Sequence, residues 1–247
     1  MDNRALEQTL ILIKPDALKN SLTGYILSQL SEYHTGVHFS GTKVLHVSKM
    51  LAEEHYAEHR GKVFFPSLLD NITGKLHYPD DPSKQRVIAI VYQGPDAIKK
   101  LREVVGPTNP HEARTTKPGC IRALGTVVPI YDDKGTVIGD RMENLIHASA
   151  NYDDAEREVK LWFKPNDIPP LMRAYRTEVN GEFYYYKDKK LYTTQEPDSF
   201  CFLVPDDIAW KSDIEMLRKL QQGQPISCTL ESIVAKYLIN HNYAGKL

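Results

Sequence analysis

The chain has 247 residues, of which 41% are hydrophobic and 26% charged, so it can bury one large core or two smaller ones. A net charge of −1 gives no global electrostatic basis for binding nucleic acid or a membrane, so a phosphate site would need a local basic cluster. No apolar run reaches membrane-spanning length, and residues 1–4 lead into a polar stretch without a signal-type region. The three cysteines form no metal-binding pattern, and we expect reduced thiols in a cytoplasmic protein.

Hydrophobic periodicity places alternating strands and helices along residues 9–163. The predicted strands are residues 9–13, 37–47, 86–92 and 144–147. The predicted helices are residues 23–36, 48–59, 64–69, 96–105 and 153–163. Ser48 and Asn151 are typical N-cap residues, and Gly36 is a typical helix end. This order is a β-α-β-β-α-β plan with extra helices, which predicts an α+β sandwich of the ferredoxin-like type.

Two segments do not fit the minimal plan. Residues 71–85 are mostly polar and predict a long loop. Residues 127–138 predict a hairpin with its turn at residues 132–135, where aspartates and a glycine separate two apolar runs.

The C-terminal extension, residues 166–247, has a pattern of its own. Segments at residues 182–187, 190–194 and 200–204 predict about three short strands. Apolar residues at helical spacing predict two helices, at residues 214–220 and 230–238. The chain is therefore divided into domains at 1–165 and 166–247. We expect a structural or oligomer-modifying role for the extension, and a ligand-binding or partner-binding domain is the alternative.

Four short segments carry residues suited to phosphate chemistry. They are residues 8–18 (QTLILIKPDAL), 106–110 (GPTNP), 117–122 (KPGCIR) and 144–149 (NLIHAS). His147 lies at the end of an apolar run, and a neutral imidazole can attack without first losing a proton. In this order the segments resemble the nucleoside diphosphate kinase family, and the resemblance covers roughly residues 7–165.

The resemblance implies a four-stranded antiparallel sheet and a ping-pong exchange in which His147 carries the γ-phosphoryl group from NTP to NDP. It implies these catalytic residues: His147, Lys14, Glu158, Ser149 and Tyr56. It implies these nucleotide-binding residues: Lys14, Phe64, Leu68, Arg102, Thr108, Arg122 and Asn144. Mg²⁺ is the implied cofactor, held mainly by nucleotide phosphates rather than by protein ligands. The implied partners are nucleoside di- and triphosphates and further copies of the chain.

Several of these residues have ordinary structural alternatives. Lys14 could be a solvated surface lysine, and Arg102 a charge on a helix surface beside other lysines. Phe64 could be a core aromatic next to Phe65, and Glu158 a helix-surface carboxylate. The sequence alone leaves Phe64 open between stacking on a base and packing in the core.

The chain also departs from the family pattern. Lys62 stands where the family has arginine, and Arg60 is the nearby candidate to compensate. Ala148 and Ala150 replace the usual glycine and aspartate around the serine. Residues 111–116 form a longer connection than in minimal members, and residues 71–85 and 127–138 are insertions relative to them.

Three functions remain open on the sequence. The leading hypothesis is a nucleoside diphosphate kinase. The departures at Lys62 and Ala150 leave room for a nucleotide-binding interaction protein that keeps the fold without efficient turnover. A protein-histidine kinase or phosphocarrier would pass phosphate from His147 to a protein instead of a nucleotide.

Overall fold

A computed structural model describes residues 7–238, in which strands and helices alternate as expected for an α+β protein. The described strands are β1 Gln8–Ile13, β2 His38–Leu45, β3 Val87–Gln93, β4 Thr126–Tyr131, β5 Val137–Glu143, β6 Ile146–Ala148, β7 Thr177–Val179, β8 Tyr184–Lys187, β9 Lys190–Tyr192, β10 Phe200–Leu203 and β11 Ile208–Trp210. The described helices are α1 Pro15–Lys19, α2 Thr23–Gln29, α3 Glu32–Thr35, α4 Lys49–His55, α5 Phe65–Thr73, α6 Ala97–Val105, α7 Pro110–Thr116, α8 Tyr152–Trp162, α9 Lys211–Gln221 and α10 Leu230–Leu238.

The central sheet has four strands in the order β2-β3-β1-β6, and every neighbouring pair is antiparallel. β1 is therefore an inner strand and β6 an edge strand, with Leu12 opposite His147. This order confirms the predicted ferredoxin-like sandwich.

Alternation along β1 builds a core on each face of the sheet. Leu10 and Leu12 pack into one core with residues of α4 and α8, whereas Ile11 and Ile13 pack into the other with residues of α2 and α6. All four side chains are completely buried, which stabilises the fold by about 1.5–3 kcal/mol each. Since cross-strand neighbours point to the same face, His147 projects to the side of Leu12, where α4 and α8 lie.

Both predicted N-caps are confirmed. Ser48 Oγ accepts a hydrogen bond from Leu51 N at 3.1 Å, and Asn151 Oδ1 accepts one from Asp154 N at 2.9 Å. These contacts set where α4 and α8 begin. α4 ends at His55 rather than near residue 59, and a 3-10 turn, Ala57–His59, follows it.

Other boundaries differ from the sequence-based expectation. Residues 23–36 form two helices because Ser31 is extended, with φ −62° and ψ 152°. α1 was not expected, although Pro15 is well suited to the first position of a helix. The last core strand begins at Ile146 rather than at residue 144, because Leu145 has a positive φ of 69°.

Two segments that were expected to be loops contain helix. α5 continues to Thr73 and buries Asn71 and Ile72, so residues 71–85 are a loop only in their later part. Residues 111–116 belong to α7, whose N-cap Asn109 accepts a hydrogen bond from His111 N at 2.9 Å. The predicted hairpin is confirmed as β4 and β5, and Asp132 Oδ1 closes its turn by accepting from Lys134 N and Thr136 N.

The C-terminal extension forms five short strands among the described residues, instead of about three, and the two expected helices. β7 pairs with β11, and β10-β8-β9 form a separate sheet. The extension has its own small core but also shares the core of α4 and α8, where Trp210 and Ala235 are completely buried. Trp210 Nε1 donates to Phe163 O at 2.7 Å, so the extension is joined to the end of α8.

Within residues 7–238, none of the helices combines the length and the apolar character that crossing a bilayer requires. The expectation about a signal-type region concerns residues 1–4, which lie outside the described residues.

Candidate active site

His147 lies on the edge strand β6, where the alternation of the strand directs its side chain toward α4 and α8. The side chain is 19% exposed, so it is held by its neighbours yet reachable from solvent. Its Nε2 lies 2.8 Å from Glu158 Oε2. Among the described residues no group hydrogen-bonds Nδ1, so that nitrogen is available to a ligand.

Glu158 is the carboxylate of α8 that orients this ring. Its Oε2 also accepts a hydrogen bond from Ser149 Oγ at 2.7 Å, and Ser149 Oγ accepts from Leu10 N at 3.1 Å. Burial by itself raises the pKa of Glu158. The charge and hydrogen bond of His147 have the opposite effect and outweigh it, so the pKa is lowered to about 2. Glu158 is therefore an anion at neutral pH, and His147 Nε2 must be the donor.

His55, at the end of α4, packs edge-on against His147 with 4.5 Å between ring centroids. Its Nδ1 accepts the indole N–H of Trp162 at 3.2 Å, which assigns the proton of His55 to Nε2. Burial, and next the proximity of His147, lower the pKa of His55 to about 3. His55 is thus a neutral imidazole wall beside His147, and sequence reasoning did not single it out.

His55, His147 and Glu158 also have ligand-type atoms within 4.8 Å of one another. A metal cage would need a bare nitrogen on His55, yet its Nδ1 already accepts from Trp162 and its Nε2 carries the proton. Glu158 and His147 are already bonded to each other. The three side chains are therefore a hydrogen-bonded and packed group rather than a metal centre.

Lys14 lies at the carboxyl end of β1 and is buried, with Nζ 3.5 Å from Asp16 Oδ2. Burial lowers the pKa of Lys14, and Asp16 offsets part of that effect. Asp16 Oδ2 also accepts from Leu145 N at 2.9 Å, and Lys14 N donates to Leu145 O at 2.9 Å. These bonds fix Lys14 relative to the turn that leads into His147.

Arg122 is a buried cation held by backbone carbonyls. Its guanidinium donates to Ile146 O at 3.1 and 3.3 Å and to Gly106 O at 3.0 Å. Burial, and secondarily the charge of Arg102, lower its pKa to about 10, so it stays protonated at neutral pH. None of the described carboxylates pairs with Arg122, and the site therefore has an uncompensated positive charge suited to an anion.

A cavity of about 380 Å³ brings most of the candidate residues together. The candidates that line it are His147, Lys14, Glu158, Tyr56, Phe64, Leu68, Arg102, Thr108, Arg122 and Asn144. Ser149 is the exception: it is completely buried and hydrogen-bonds to Glu158. The cavity thus has a cationic end near His147 and an apolar end at α5.

The two ends of the cavity differ in chemistry. At the cationic end, Arg102 is exposed and Asn144 Nδ2 donates to Thr108 O at 2.9 Å, which holds the loop after α6. At the other end, Phe64 and Leu68 are only half-buried, so Phe64 is not a core aromatic. Burial raises the pKa of the Tyr56 phenol, which therefore remains a donor.

The departures from the family pattern lie both inside and outside the lining of this cavity, and Ala148 belongs to the lining. Lys62 is not part of the lining, and its Nζ lies 3.0 Å from His59 Nδ1. Arg60 does not compensate for it, because Arg60 Nη2 is bound to Glu54 Oε1 at 2.5 Å outside the cavity. Ala150 does line the cavity, on the side of Arg102.

Sequence reasoning also missed a wall formed by the inserted hairpin. Asp140, Arg141 and Met142 of β5 line the cavity, and Arg141 Nη1 lies 3.4 Å from Ser67 Oγ on α5. The available signal was position, since the hairpin ends directly before Asn144. An insertion with no counterpart in minimal family members offered no residue-by-residue match.

Comparison with known proteins agrees with this geometry. The family model described as nucleoside diphosphate kinase matches residues 7–168, which is most of the chain. The chain belongs to the nucleoside diphosphate kinase family. It is 36% identical over 185 residues to the nucleoside diphosphate kinase of Pyrococcus furiosus, covering 75% of this chain and 96% of the relative. It is 38% identical over 189 residues to that of Thermococcus kodakarensis, covering 75% and 95%.

The fold comparison gives the same family. The crystal structure of the Aquifex aeolicus nucleoside diphosphate kinase aligns with a TM-score of 0.52 and 32% identity. That alignment covers 66% of this chain and 99% of the Aquifex chain. About a third of this chain lies outside that alignment.

Proposed function

We propose that the protein is a nucleoside diphosphate kinase that exchanges the γ-phosphoryl group between nucleotides through His147. The observation that carries this proposal is the asymmetry of the His147 ring. Nε2 is bound to the ionised Glu158 at 2.8 Å, whereas Nδ1 has no hydrogen-bond partner among the described residues. A nitrogen with a free lone pair at the wall of a cationic cavity is a suitable nucleophile.

In the first half-reaction, the Nδ1 lone pair attacks the γ-phosphorus of a bound NTP. The bond between that phosphorus and the β,γ-bridging oxygen breaks, and its electron pair leaves with the NDP. The ring becomes cationic as the N–P bond forms, and Glu158 stabilises it through the Nε2–H bond. A β-phosphate oxygen of a second NDP then attacks the same phosphorus, and the electron pair of the N–P bond returns to Nδ1.

The remaining residues position the phosphates and the base. Arg122 and Lys14 are fixed by backbone and carboxylate contacts, so they can meet developing negative charge with little rearrangement. Arg102, Thr108 and Asn144 are proposed to bind phosphate and sugar oxygens at the same end. Phe64 and Leu68 are proposed to hold the base by stacking and apolar contact, which tolerates different bases.

Mg²⁺ is proposed to enter with the nucleotide and to neutralise its phosphate oxygens. The donor set fits this mode, because the group with three ligand-type atoms in the described residues is rich in nitrogen, and its one carboxylate, Glu158, is already bound to His147. Mg²⁺ prefers oxygen ligands and is commonly bound through substrate phosphates. Asp140 and Asp154 line the cavity, and their carboxylates could contact Mg²⁺ through water.

The test is covalent labelling from γ-labelled ATP, followed by a chase with unlabelled NDP. We expect an acid-labile label that NDP removes as NTP, and we expect His147→Ala to abolish it. His34→Ala, at an exposed histidine of α3, is the matched control and should label normally. Label that persists in His147→Ala contradicts the proposal. Tight binding without exchange would favour an interaction protein, and transfer to a protein acceptor a phosphocarrier.

Three further properties belong to the same proposal. We propose that the protein acts in the cytoplasm as a homo-oligomer. We also propose that residues 1–165 form the kinase domain and residues 166–247 a structural or oligomer-modifying extension. Size measurement by light scattering, on the full chain, checks the assembly.

A further inference from the structure

The C-terminal extension contacts the outer sides of the two helices that carry catalytic candidates. α10 packs against α4, which ends at His55, and against α8, which carries Glu158. Ala235 of α10 is completely buried in the same core as Leu51 and Trp162. The extension can therefore affect the positions of His55 and Glu158 through the helices that carry them.

One side-chain hydrogen bond links the extension to the end of α4. Thr229 Oγ1 donates to Glu54 Oε2 at 2.7 Å, across 175 positions of sequence. The same hydroxyl accepts from Ser232 N at 3.1 Å, as an N-cap does at the start of α10. The Glu54 side chain is only 9% exposed, so this contact is well shielded from water.

Glu54 lies next to the catalytic group in two ways. It directly precedes His55, which packs on the His147 ring, and Tyr56, which lines the cavity. Its backbone oxygen accepts from Arg157 Nη1 at 3.5 Å, and Arg157 Nη2 lies 3.4 Å from Glu158 Oε1. A displacement of Glu54 would therefore move the wall beside the nucleophile and the cation beside its carboxylate.

The extension cannot act on nucleotide by direct contact within the described part of the chain. Every residue that lines the cavity precedes residue 159. An effect of the extension on chemistry must therefore pass through contacts such as the one between Thr229 and Glu54. A change in the extension is therefore expected to alter the positions of the catalytic side chains rather than the affinity for nucleotide.

We infer that Thr229 is a positioning residue for phosphoryl transfer, through which the C-terminal extension holds the end of α4 against His147. The inference rests on the proposed function, because it names a residue that sets the geometry of the same site. It gives the extension a role in the reaction rate, beyond a structural or oligomer-modifying role. A small displacement of reacting groups is sufficient for a large loss of rate.

The test compares Thr229→Val with Thr229→Ser in the full chain. Valine keeps the size of threonine but removes both hydrogen bonds, whereas serine keeps the hydroxyl. The readout is the single-turnover rate of His147 phosphorylation, which is independent of the fraction of active protein. We expect about a tenfold slower rate for Thr229→Val, a near-normal rate for Thr229→Ser, and a nucleotide Kd changed less than about twofold.

Ser232→Ala is the matched control for a merely structural effect. Ser232 Oγ donates to Thr229 O at 2.7 Å, so its loss weakens the start of α10 without removing the bond to Glu54. We expect Ser232→Ala to lose stability while it keeps the phosphorylation rate. Equal rates for Thr229→Val and wild type, or equal losses in Thr229→Val and Ser232→Ala, would overturn the inference.

A second measurement separates this inference from the proposed function. Imidazole NMR signals of His55 and His147 report the packing of the two rings whether or not phosphate is transferred. We expect Thr229→Val, and not Ser232→Ala, to shift both signals. If Thr229→Val shows these shifts but the wild-type protein forms no phosphohistidine, the proposed function alone is contradicted, whereas a Thr229→Val spectrum identical to that of wild type would contradict the positioning role.

Discussion

The carboxylate of Glu158 is buried at the centre of the site and still ionised. Three groups make this possible: His147 Nε2 and Ser149 Oγ donate to Oε2, and Arg157 lies near Oε1. A buried carboxylate without such partners would become neutral, and its hydrogen bond to the Nε2–H of the ring would lose the strength that the negative charge gives. The protonation of one side chain therefore determines which nitrogen of His147 can react.

The low pKa of Glu158 predicts a pH-dependent stability. Because the pKa is about 2 in the folded state and 4.5 ordinarily, the stabilisation is complete above about pH 4.5 and is lost as the pH falls toward 2. We expect wild type to exceed Glu158→Gln in unfolding free energy by up to about 3 kcal/mol at pH 6, and by much less at pH 3. Urea unfolding across this pH range measures the difference.

The control for this prediction is Glu112→Gln, at an exposed position of α7. The unfolding free energy of Glu112→Gln should equal that of wild type at every pH. A constant difference between wild type and Glu158→Gln from pH 3 to 6 would show that folding does not lower the pKa of Glu158.

At the scale of elements, the β4–β5 hairpin has a tip in solvent and a base in the active site. Its turn is closed by Asp132 and is exposed, whereas Arg141 lines the cavity and pairs with Glu143 at 2.8 Å. Arg141 Nε is buried without a hydrogen-bond partner among the described residues. An unpaired buried donor is costly, so an acceptor on a ligand that draws the guanidinium inward would be favoured.

We therefore expect Arg141→Gln to raise the KM for nucleotide about fivefold, equivalent to about 1 kcal/mol of lost binding. The rate at saturation should change less, since Arg141 is not at the His147 end of the cavity. Steady-state kinetics with several NTPs measures both values. Lys134→Ala, at the tip of the same hairpin, should leave the KM unchanged, and an equal effect of the two changes would refute a role for the hairpin base.

The core elements were predictable because their signal is local. The continuous apolar run at residues 9–13 identifies β1, and Ser48 and Asn151 mark the starts of α4 and α8. β7 and β11 were not predictable, since each has three residues and pairs with a partner about 30 positions away. Such strands are stabilised by tertiary contacts, which a local pattern does not contain.

The site was predictable where the chain matches a motif. Lys14, Arg122 and His147 are all found at one cavity, as the resemblance implied. His55 and Arg141 were missed for different reasons. His55 resembles any helical histidine until the fold places it on His147, and Arg141 belongs to an insertion that a motif does not cover.

On the scale of the whole molecule, the kinase domain and the extension share a core. Trp162 of α8 and Trp210 of β11 are both completely buried in it, and they are the two tryptophans of the chain. Separating the two parts would expose both aromatic side chains and break the bond from Trp210 to Phe163. The two parts should therefore unfold as one unit.

Single-tryptophan variants test this cooperativity. Trp162→Phe leaves a fluorescent reporter in the extension, and Trp210→Phe leaves one in the kinase domain. In each variant, we expect the urea midpoint from fluorescence to coincide with the midpoint from far-UV circular dichroism. A variant in which the Trp210 signal changes first, at lower urea, would mean that the extension unfolds independently.

The Asp16 carboxylate has a consequence for how nucleotides enter and leave. By accepting the Leu145 amide, it ties the end of the strand that carries Lys14 to the turn that precedes His147. These two chain segments can separate only by breaking a buried charged contact, so that part of the cavity is expected to stay rigid during turnover. Opening for product release would then fall to the opposite side, where a long hydrogen bond between Arg141 and Ser67 joins the base of the hairpin to α5.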